Sequence, residues 1–473
     1  MSRNRWRIAL ALLLLAGIAW FATSFNPASL VASRQHRNDN LIAEQMAYHV
    51  GVQAYIYGYP LVDMYRQMHN ETHRTGAGQQ VYAPLNRFYR FPGLVGPHNA
   101  GNFRAPNNDT LYFTAWFDIT EQPLIIHTPD TAGRYYTIAV TNLYAEVQHI
   151  GRRTTGTEEA WFALTHKGWQ GQLPPGVRRI EVETAQGWLL GRMLVDGPGD
   201  LDEATALVEN VWLAELENFD PAGPPPLPEE KFGTPLQPMS SFGFFEILNQ
   251  RLRQLPQRPA EAALLAQFDA IGIGPNSVFN QQQLEPPQKR GLERAIRDGT
   301  GMVEAAAQRT IPDYNGWMIS ASIGRYGFDY LHRAAVVKGG YGNLPEESLY
   351  PALLFDDNGD LMSGEQRYRL HFPAGQTPPV NGFWSLATYR LEDLQLEENA
   401  LQRYSIGDRT EGLQYNSDGS LTLLLQHAEP VEAGANWLPT PAGQFMAVMR
   451  LYEPSRQALD NTYLLPRIER LSQ

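Results

Sequence analysis

Leu111-Tyr-Phe-Thr-Ala-Trp-Phe-Asp118 is the stretch whose reading decides the fold. Six of its eight side chains are apolar, most of them aromatic, and it lies between turn signals, so it reads as a strand buried on both faces rather than a helix. Working outward, Leu124–Thr128, Tyr135–Leu143, Trp161–Thr165, Ile180–Glu183 and Trp188–Val195 have the same character. Pro129-Asp130, Ala132-Gly133 and Pro174-Pro-Gly176 separate them as turns. Asp200-Leu-Asp-Glu203 sets an N-cap residue three before a glutamate and predicts a helix running through Leu207, Val211 and Leu216.

The flanks change period. Ile42, Met46, Val50, Ala54 and Leu61 fall on one helical face, and Gly58 and Pro60 interrupt it, which predicts two helices with a kink over 41–69. Pro221-Ala-Gly-Pro-Pro-Pro-Leu-Pro228 excludes helix and central strand and reads as a linker. Residues 240–338 read as helical, notably Gln288–Arg309 and Trp317–Val337. After Gly339-Gly340 the period becomes two: Tyr368, Leu370 and Phe372 alternate with Arg367, Arg369 and His371, and Asp357-Asn-Gly359 and Ser417-Asp-Gly419 are hairpin turns. The expected class is α+β. A mixed N-terminal α/β domain (41–220) is followed by a Pro-rich linker (221–238), a helical connecting segment (239–340) and a C-terminal antiparallel β-sandwich, jelly-roll-like (341–473).

At the N-terminus, Arg3, Arg5 and Arg7 precede the uninterrupted apolar run Ile8–Ala22, the pattern of a secretory signal over residues 1–24. Cleavage after Ser24 makes the protein periplasmic or secreted; the run is also long enough for an uncleaved inner-membrane anchor, the one membrane association expected. Residues 1–24 hold three arginines and no acid, so removing them takes the formal charge from −12 to −15. The only lysines are Lys167, Lys231, Lys289 and Lys338, and no basic run occurs, which argues against nucleic-acid partners. The absence of cysteine excludes disulfides, thiolate nucleophiles and Cys-ligated metals.

Chemistry-bearing residue types gather in a few places. Arg104-Ala-Pro-Asn-Asn-Asp-Thr-Leu-Tyr112 sets Asn107, Asn108 and Asp109 before a strand, either to orient a polar ligand with Asp109 as acid or base, or as an Asx-turn at the strand's start. Gly133-Arg-Tyr-Tyr136 and Gly151-Arg-Arg-Thr-Thr-Gly-Thr157 offer Arg134, Arg152 and Arg153 as anion-binding forks or as surface arginines. In the C-terminal half, Asn381, Trp384, Asp408, Arg409, Asn436 and Trp437 have the mix of aromatic, amide and charged groups found in a polar-ligand groove, or in a sandwich core. His69 and His73 stand at i, i+4, but the glutamate is misplaced for a zinc-protease motif, and Asp356-Asp-Asn-Gly-Asp360 lacks the calcium-loop glutamate. No metal site and no cofactor are expected, and no Gly-x-Ser-x-Gly, P-loop or dinucleotide fingerprint occurs.

Several of these stretches carry a resemblance. Tyr57-Gly-Tyr-Pro60, Pro106–Tyr112, Gly133–Tyr136, Gly151–Gly156 and Leu190-Gly-Arg-Met-Leu-Val-Asp-Gly197 together resemble the domain of unknown function family 1254. Gly364–Leu370, Phe372–Gly375, Pro378–Ser385, Arg403–Arg409, Tyr415–Leu421 and Ala435–Pro439 resemble its habitual partner, family 1214, with a departure at Gln402, where asparagine is common. The resemblance spans about 45 to 470 and implies an exported bacterial protein with a mixed N-terminal domain and a C-terminal sandwich; it implies no reaction.

Two functions fit the residues. One is a metal-independent hydrolase or lyase acting on a polar or anionic small molecule, with Asp109 transferring the proton, Arg134 and Arg152 stabilising developing charge, and Asn107, Asn108 and Tyr112 orienting substrate. The other is a non-catalytic periplasmic ligand-binding or envelope-assembly protein using the same groups.

Overall fold

The computed structural model describes residues 27–76, 78–100, 103–236, 239–308, 313–320, 322–431 and 434–472, with Trp6 and Leu13. Apart from those two residues, the expected signal over 1–24 lies outside this set. Among the described residues no helix is long and apolar enough to cross a membrane.

The first element is a 46-residue helix, α1 (Pro27–Thr72). It is one helix where two with a kink were expected, because Pro60 sits inside it. A proline removes one backbone donor, but here Tyr55, Tyr57, Leu61, Val62 and Met64 are buried around it, and that packing holds the helical path.

The N-terminal strands are β1 (Tyr89–Arg90), β2 (Thr110–Asp118), β3 (Leu124–Thr128), β4 (Tyr136–Asn142), β5 (Val147–Gly151), β6 (Ala160–His166), β7 (Val177–Val182), β8 (Gln186–Leu194) and β9 (Trp212–Glu215). The helical turn α2 (Arg152–Thr155) follows β5, and α3 (Leu201–Glu209) precedes β9. Strands β1-β2-β8-β4-β5 form an antiparallel sheet, and β7-β6-β3-β9 a second sheet in which only β6 and β7 run parallel. Period-two alternation explains why β2 is buried throughout. Leu111, Phe113, Ala115 and Phe117 fill the core between the two sheets, while Tyr112 and Trp116 face the helices. Gly191 opposes Phe113, whose ring lies where a Cβ would stand, so only glycine fits there.

The helix expected through Leu216 ends at Glu209, since Trp212–Glu215 is the edge partner of β3. Asp200 is the N-cap residue by position but makes no capping bond; its carboxylate pairs with Arg134 instead. Residues 224–231 form neither helix nor strand.

The connecting helices are α4 (Gly243–Gln254), α5 (Ala262–Asp269), α6 (Pro286–Ala307) and α7 (Tyr330–Gly339). They cover the outer face of the first sheet together with α1, sharing one core with Trp116, Trp188 and Leu190. The helix expected over Trp317–Val337 is only α7: Gly316, Gly324 and Gly327 adopt positive φ and break it.

The C-terminal strands are β10 (Asp313–Tyr314), β11 (Trp317–Met318), β12 (Ser348–Leu349), β13 (Ala352–Leu353), β14 (Arg367–Phe372), β15 (Trp384–Arg390), β16 (Ser405–Gly407), β17 (Leu421–Gln426), β18 (Trp437–Pro439), β19 (Phe445–Tyr452) and β20 (Ile468–Leu471), with the short helix α8 (Arg456–Leu459). One sheet is ordered β10-β11-β13-β19-β15-β16 with β12 also on β19, and the other β18-β17-β14-β20. Tyr368, Leu370 and Phe372 from the second pack on Trp384, Leu386, Met449 and Leu451 from the first, a two-sheet core. The molecule is α+β as expected.

Candidate active site

The C-terminal half of α1 carries polar residues where a buried helix should be apolar. Asp63, Gln67 and Glu71 fall at i, i+4 and i+8 on one face, with Arg66 and Asn70 beside them. That face lines a pocket of about 760 Å³, closed on its other sides by Phe91, Phe103 and Arg104 from the loops before β2, by Thr114 and Trp188 from the first sheet, and by Lys338 and Tyr341 at the end of α7. A second chamber of about 370 Å³ shares Tyr59, Asp63, Arg66 and Lys338 with it.

Two carboxylates in this pocket have different environments. Asp63 is tied down: Arg66 Nη2 donates to its Oδ1 at 2.9 Å, and Gln67 Nε2 and Tyr341 Oη donate to Oδ2 at 2.6 and 3.1 Å. Burial and this carboxylate push the Tyr341 phenol well above its ordinary range. Glu71 takes one bond, from Trp116 Nε1 to Oε2 at 2.6 Å, and burial pushes its pKa up to about 7 against that bond and the nearby Arg66. A carboxylic acid poised there can both give and take a proton near neutrality. Trp188 lies against Tyr341, ring centroids 5.2 Å apart, and gives the pocket a flat aromatic wall fixed by its indole bond to Thr114 Oγ1 at 2.6 Å. Arg104 is exposed at the pocket and has no hydrogen-bond or ion-pair partner among the described residues. With Arg66 and Lys338 it makes the pocket locally cationic in an acidic chain.

The residues singled out from sequence lie elsewhere, mostly on the seam between the two domains. Asn107 forms the Asx-turn: its Oδ1 accepts from the backbone of Asp109 and Thr110, and its Nδ2 donates to Tyr112 Oη at 2.7 Å. Asn108 donates to the Val95 carbonyl. Asp109 is buried, accepting from Ser385 Oγ at 2.6 Å and Ser405 Oγ at 3.3 Å, with Arg409 at 3.7 Å. Arg134 pairs with Asp200 and Glu203. Arg152 pairs with Glu453 and donates to the Asn381 carbonyl, while Arg153 pairs with Glu347. The three proposed catalytic groups therefore each have separate partners. Trp384 is core; Asp408 accepts from its backbone and is pushed by burial up to about 6. Asn436 braces the Gln414 and Thr422 carbonyls, and Trp437 lines a distant depression of about 290 Å³ with Arg403 and Tyr404. His69 and His73 stack on one another, and each hydrogen-bonds a carbonyl. Among the described residues no three His, Asp or Glu side chains gather as metal ligands.

Residues 85–215 match the model of a protein of unknown function, DUF1254, and residues 347–456 that of a second, DUF1214. The chain combines a DUF1254 domain with a DUF1214 domain. It is similar in fold to the VPA0106 protein of Vibrio parahaemolyticus, at 23% identity and a TM-score of 0.67 over 90% of this chain and 100% of that one. A putative uncharacterized protein of Burkholderia cenocepacia is also matched, at 12% identity and a TM-score of 0.43, over 94% of this chain and 99% of that one. No curated protein matches the chain. Trp116 and Trp188 belong to the DUF1254 domain, whereas Asp63, Glu71 and Tyr341 come from helices outside both matched regions. The pocket is built by the DUF1254 sheet and the helices laid across it.

Proposed function

We propose that this chain is an exported, periplasmic or secreted enzyme, a hydrolase or lyase that carries out acid–base chemistry on a small anionic molecule in the pocket between α1 and the DUF1254 sheet. The observation that carries this reading is Glu71, held near pKa 7 by burial within a pocket of about 760 Å³. Glu71 transfers the proton; Arg66, Arg104 and Lys338 attract and orient the anion; Trp188 supplies an apolar wall for the substrate body. The basic start and apolar run of residues 3–22 support export.

The test is a thermal-shift screen of residues 25–473 against sugar acids, phosphoesters and acylated amino acids, followed by mass spectrometry for product. The expected result is a ligand that raises the melting temperature and is turned over by the native chain, with turnover lost in Glu71→Gln while binding persists. Full turnover in Glu71→Gln would sink the assignment, and saturable binding without product would make the chain a binding protein.

A further inference from the structure

We propose that Arg192 and Arg450 form a second site, an enclosed pocket for one small oxyanion on the seam between the DUF1254 and DUF1214 domains. The two arginines come from different sheets. Arg192 lies on β8 opposite Tyr112 of β2, and Arg450 on β19 opposite Ser385 of β15. They are only 8% and 3% exposed. Arg192 Nη1 donates to Asn343 Oδ1 at 2.9 Å, and Arg450 Nη2 to the Ala105 carbonyl at 2.5 Å; both acceptors are neutral.

A guanidinium cannot shed its proton, so burying one without a counter-charge is costly. The carboxylates on the seam have other partners: Glu347 binds Arg153, Glu453 binds Arg152, and Asp109, the carboxylate whose charge reaches Arg450, accepts from Ser385 and Ser405 with Arg409 nearby. The charges of Arg192 and Arg450 both act on the phenols of Tyr112 and Tyr452, so the two cations share one neighbourhood. The phenol of Tyr452 does not compensate them, since burial holds it neutral, well above its ordinary range. On the far side of Arg192, burial and the charges of Arg153 and Arg192 hold His149 well below its usual range, and its Nε2 accepts from the Leu344 amide, as a neutral ring must.

Four buried polar groups in this neighbourhood have no hydrogen-bond partner among the described residues: Arg450 Nη1, Asn343 Nδ2, Tyr350 Oη and Tyr452 Oη. All four can donate. Donors converging with two uncompensated cations are complementary to an oxyanion, either a planar carboxylate or a tetrahedral phosphate or sulfate. The site does not depend on the reading of Glu71.

The experiment uses the full chain and measures melting temperature against the concentration of formate, acetate, phosphate and sulfate, in wild type, Tyr452→Phe and Tyr350→Phe. Ion chromatography of acid-denatured, exhaustively dialysed protein then identifies any anion released. The site predicts saturable stabilisation by one anion shape, about one equivalent of that anion released, and an affinity at least roughly tenfold weaker in each phenylalanine variant. The carboxylate and phosphate–sulfate arms tell the two sources apart. Excluded salts raise melting temperature without saturation. A non-saturating rise identical in all three proteins, no anion released, or variants that are neutral or stabilised with unchanged anion response would each overturn the site, because removing a partnerless buried hydroxyl should otherwise cost nothing.

Discussion

Glu71 and Asp109 are two carboxylates of one domain region whose substitutions should act with opposite sign. The Glu71 pKa is raised from 4.5 to about 7, so below pH 4.5 folded and unfolded chains are both protonated and the group costs nothing. Between pH 4.5 and 7 the unfolded chain ionises first, and stability falls as pH rises through the folded pKa. Glu71→Gln should therefore leave stability unchanged at pH 4 and raise it by up to roughly 3 kcal/mol at pH 8, read from urea midpoints at both values. A residue that weakens the fold where it is charged, yet sits in a pocket, is what a functional acid looks like. Asp109→Asn does the reverse: it turns a buried acceptor of two hydroxyl bonds into a partial donor, and should lower stability by about 1–3 kcal/mol at pH 7 in the same assay. Sequence made Asp109 conspicuous because its neighbours Asn107 and Asn108 are also polar, and the structure spends those groups on a turn. Glu71 was inconspicuous because its chemistry comes from Trp116, 45 positions away. The signal available was the polar stripe 63, 67, 71 in an otherwise apolar helix.

At the scale of elements, what was legible followed from local periodicity. β3 was read with its observed ends, and β2, β4, β6 and β8 to within two residues at either end, because strands buried on both faces form dense apolar runs between turns. β9 was missed because its four residues owe their strand state to pairing with β3, a long-range partner, and the preceding helix pattern ran through them. α1 was split at Pro60 because a proline's local cost is visible in sequence and the packing that overrides it is not. That packing is tight: Gly291, Ala295 and Gly299 of α6 meet α1, and a Cβ at Gly291 would stand 2.3 Å from the Glu44 carbonyl and 2.8 Å from Ala47 Cβ. In an exposed helix Gly→Ala gains about 1 kcal/mol of propensity. Here the added methyl meets backbone that cannot turn aside, so Gly291→Ala should destabilise by about 1–3 kcal/mol, measured by urea unfolding. The nearby Gly301, with nothing within 4 Å of its would-be Cβ, is the control, and Gly301→Ala should stabilise.

For the whole molecule, the question is whether the two domains are one cooperative unit. The seam between them is polar at its rim and aromatic within. Arg152–Glu453 and Arg153–Glu347 cross it, Tyr389 Oη reaches the Pro106 carbonyl at 2.7 Å, and Tyr135 packs between Phe383 and Tyr452. Glu347 is the group on which this arrangement turns. Its side chain is 1% exposed, it accepts from Arg153 Nε at 2.8 Å and Tyr135 Oη at 2.9 Å, and burial already holds its pKa above the ordinary value. Arg153→Met removes the counter-charge and leaves an ionised carboxylate buried with one phenol, a loss of about 3–5 kcal/mol at pH 8. A raised carboxylate pKa costs stability only where the unfolded chain is ionised and the folded one is not, or is ionised at a penalty; the loss should therefore shrink as pH falls toward 4.5. Calorimetry at pH 8 should give one transition for the wild type and a lower, split transition for Arg153→Met as the DUF1214 domain lets go first. Glu347→Gln in the same chain should restore a single peak. Two peaks in the wild type would mean that each domain's core holds it alone and the seam contributes little.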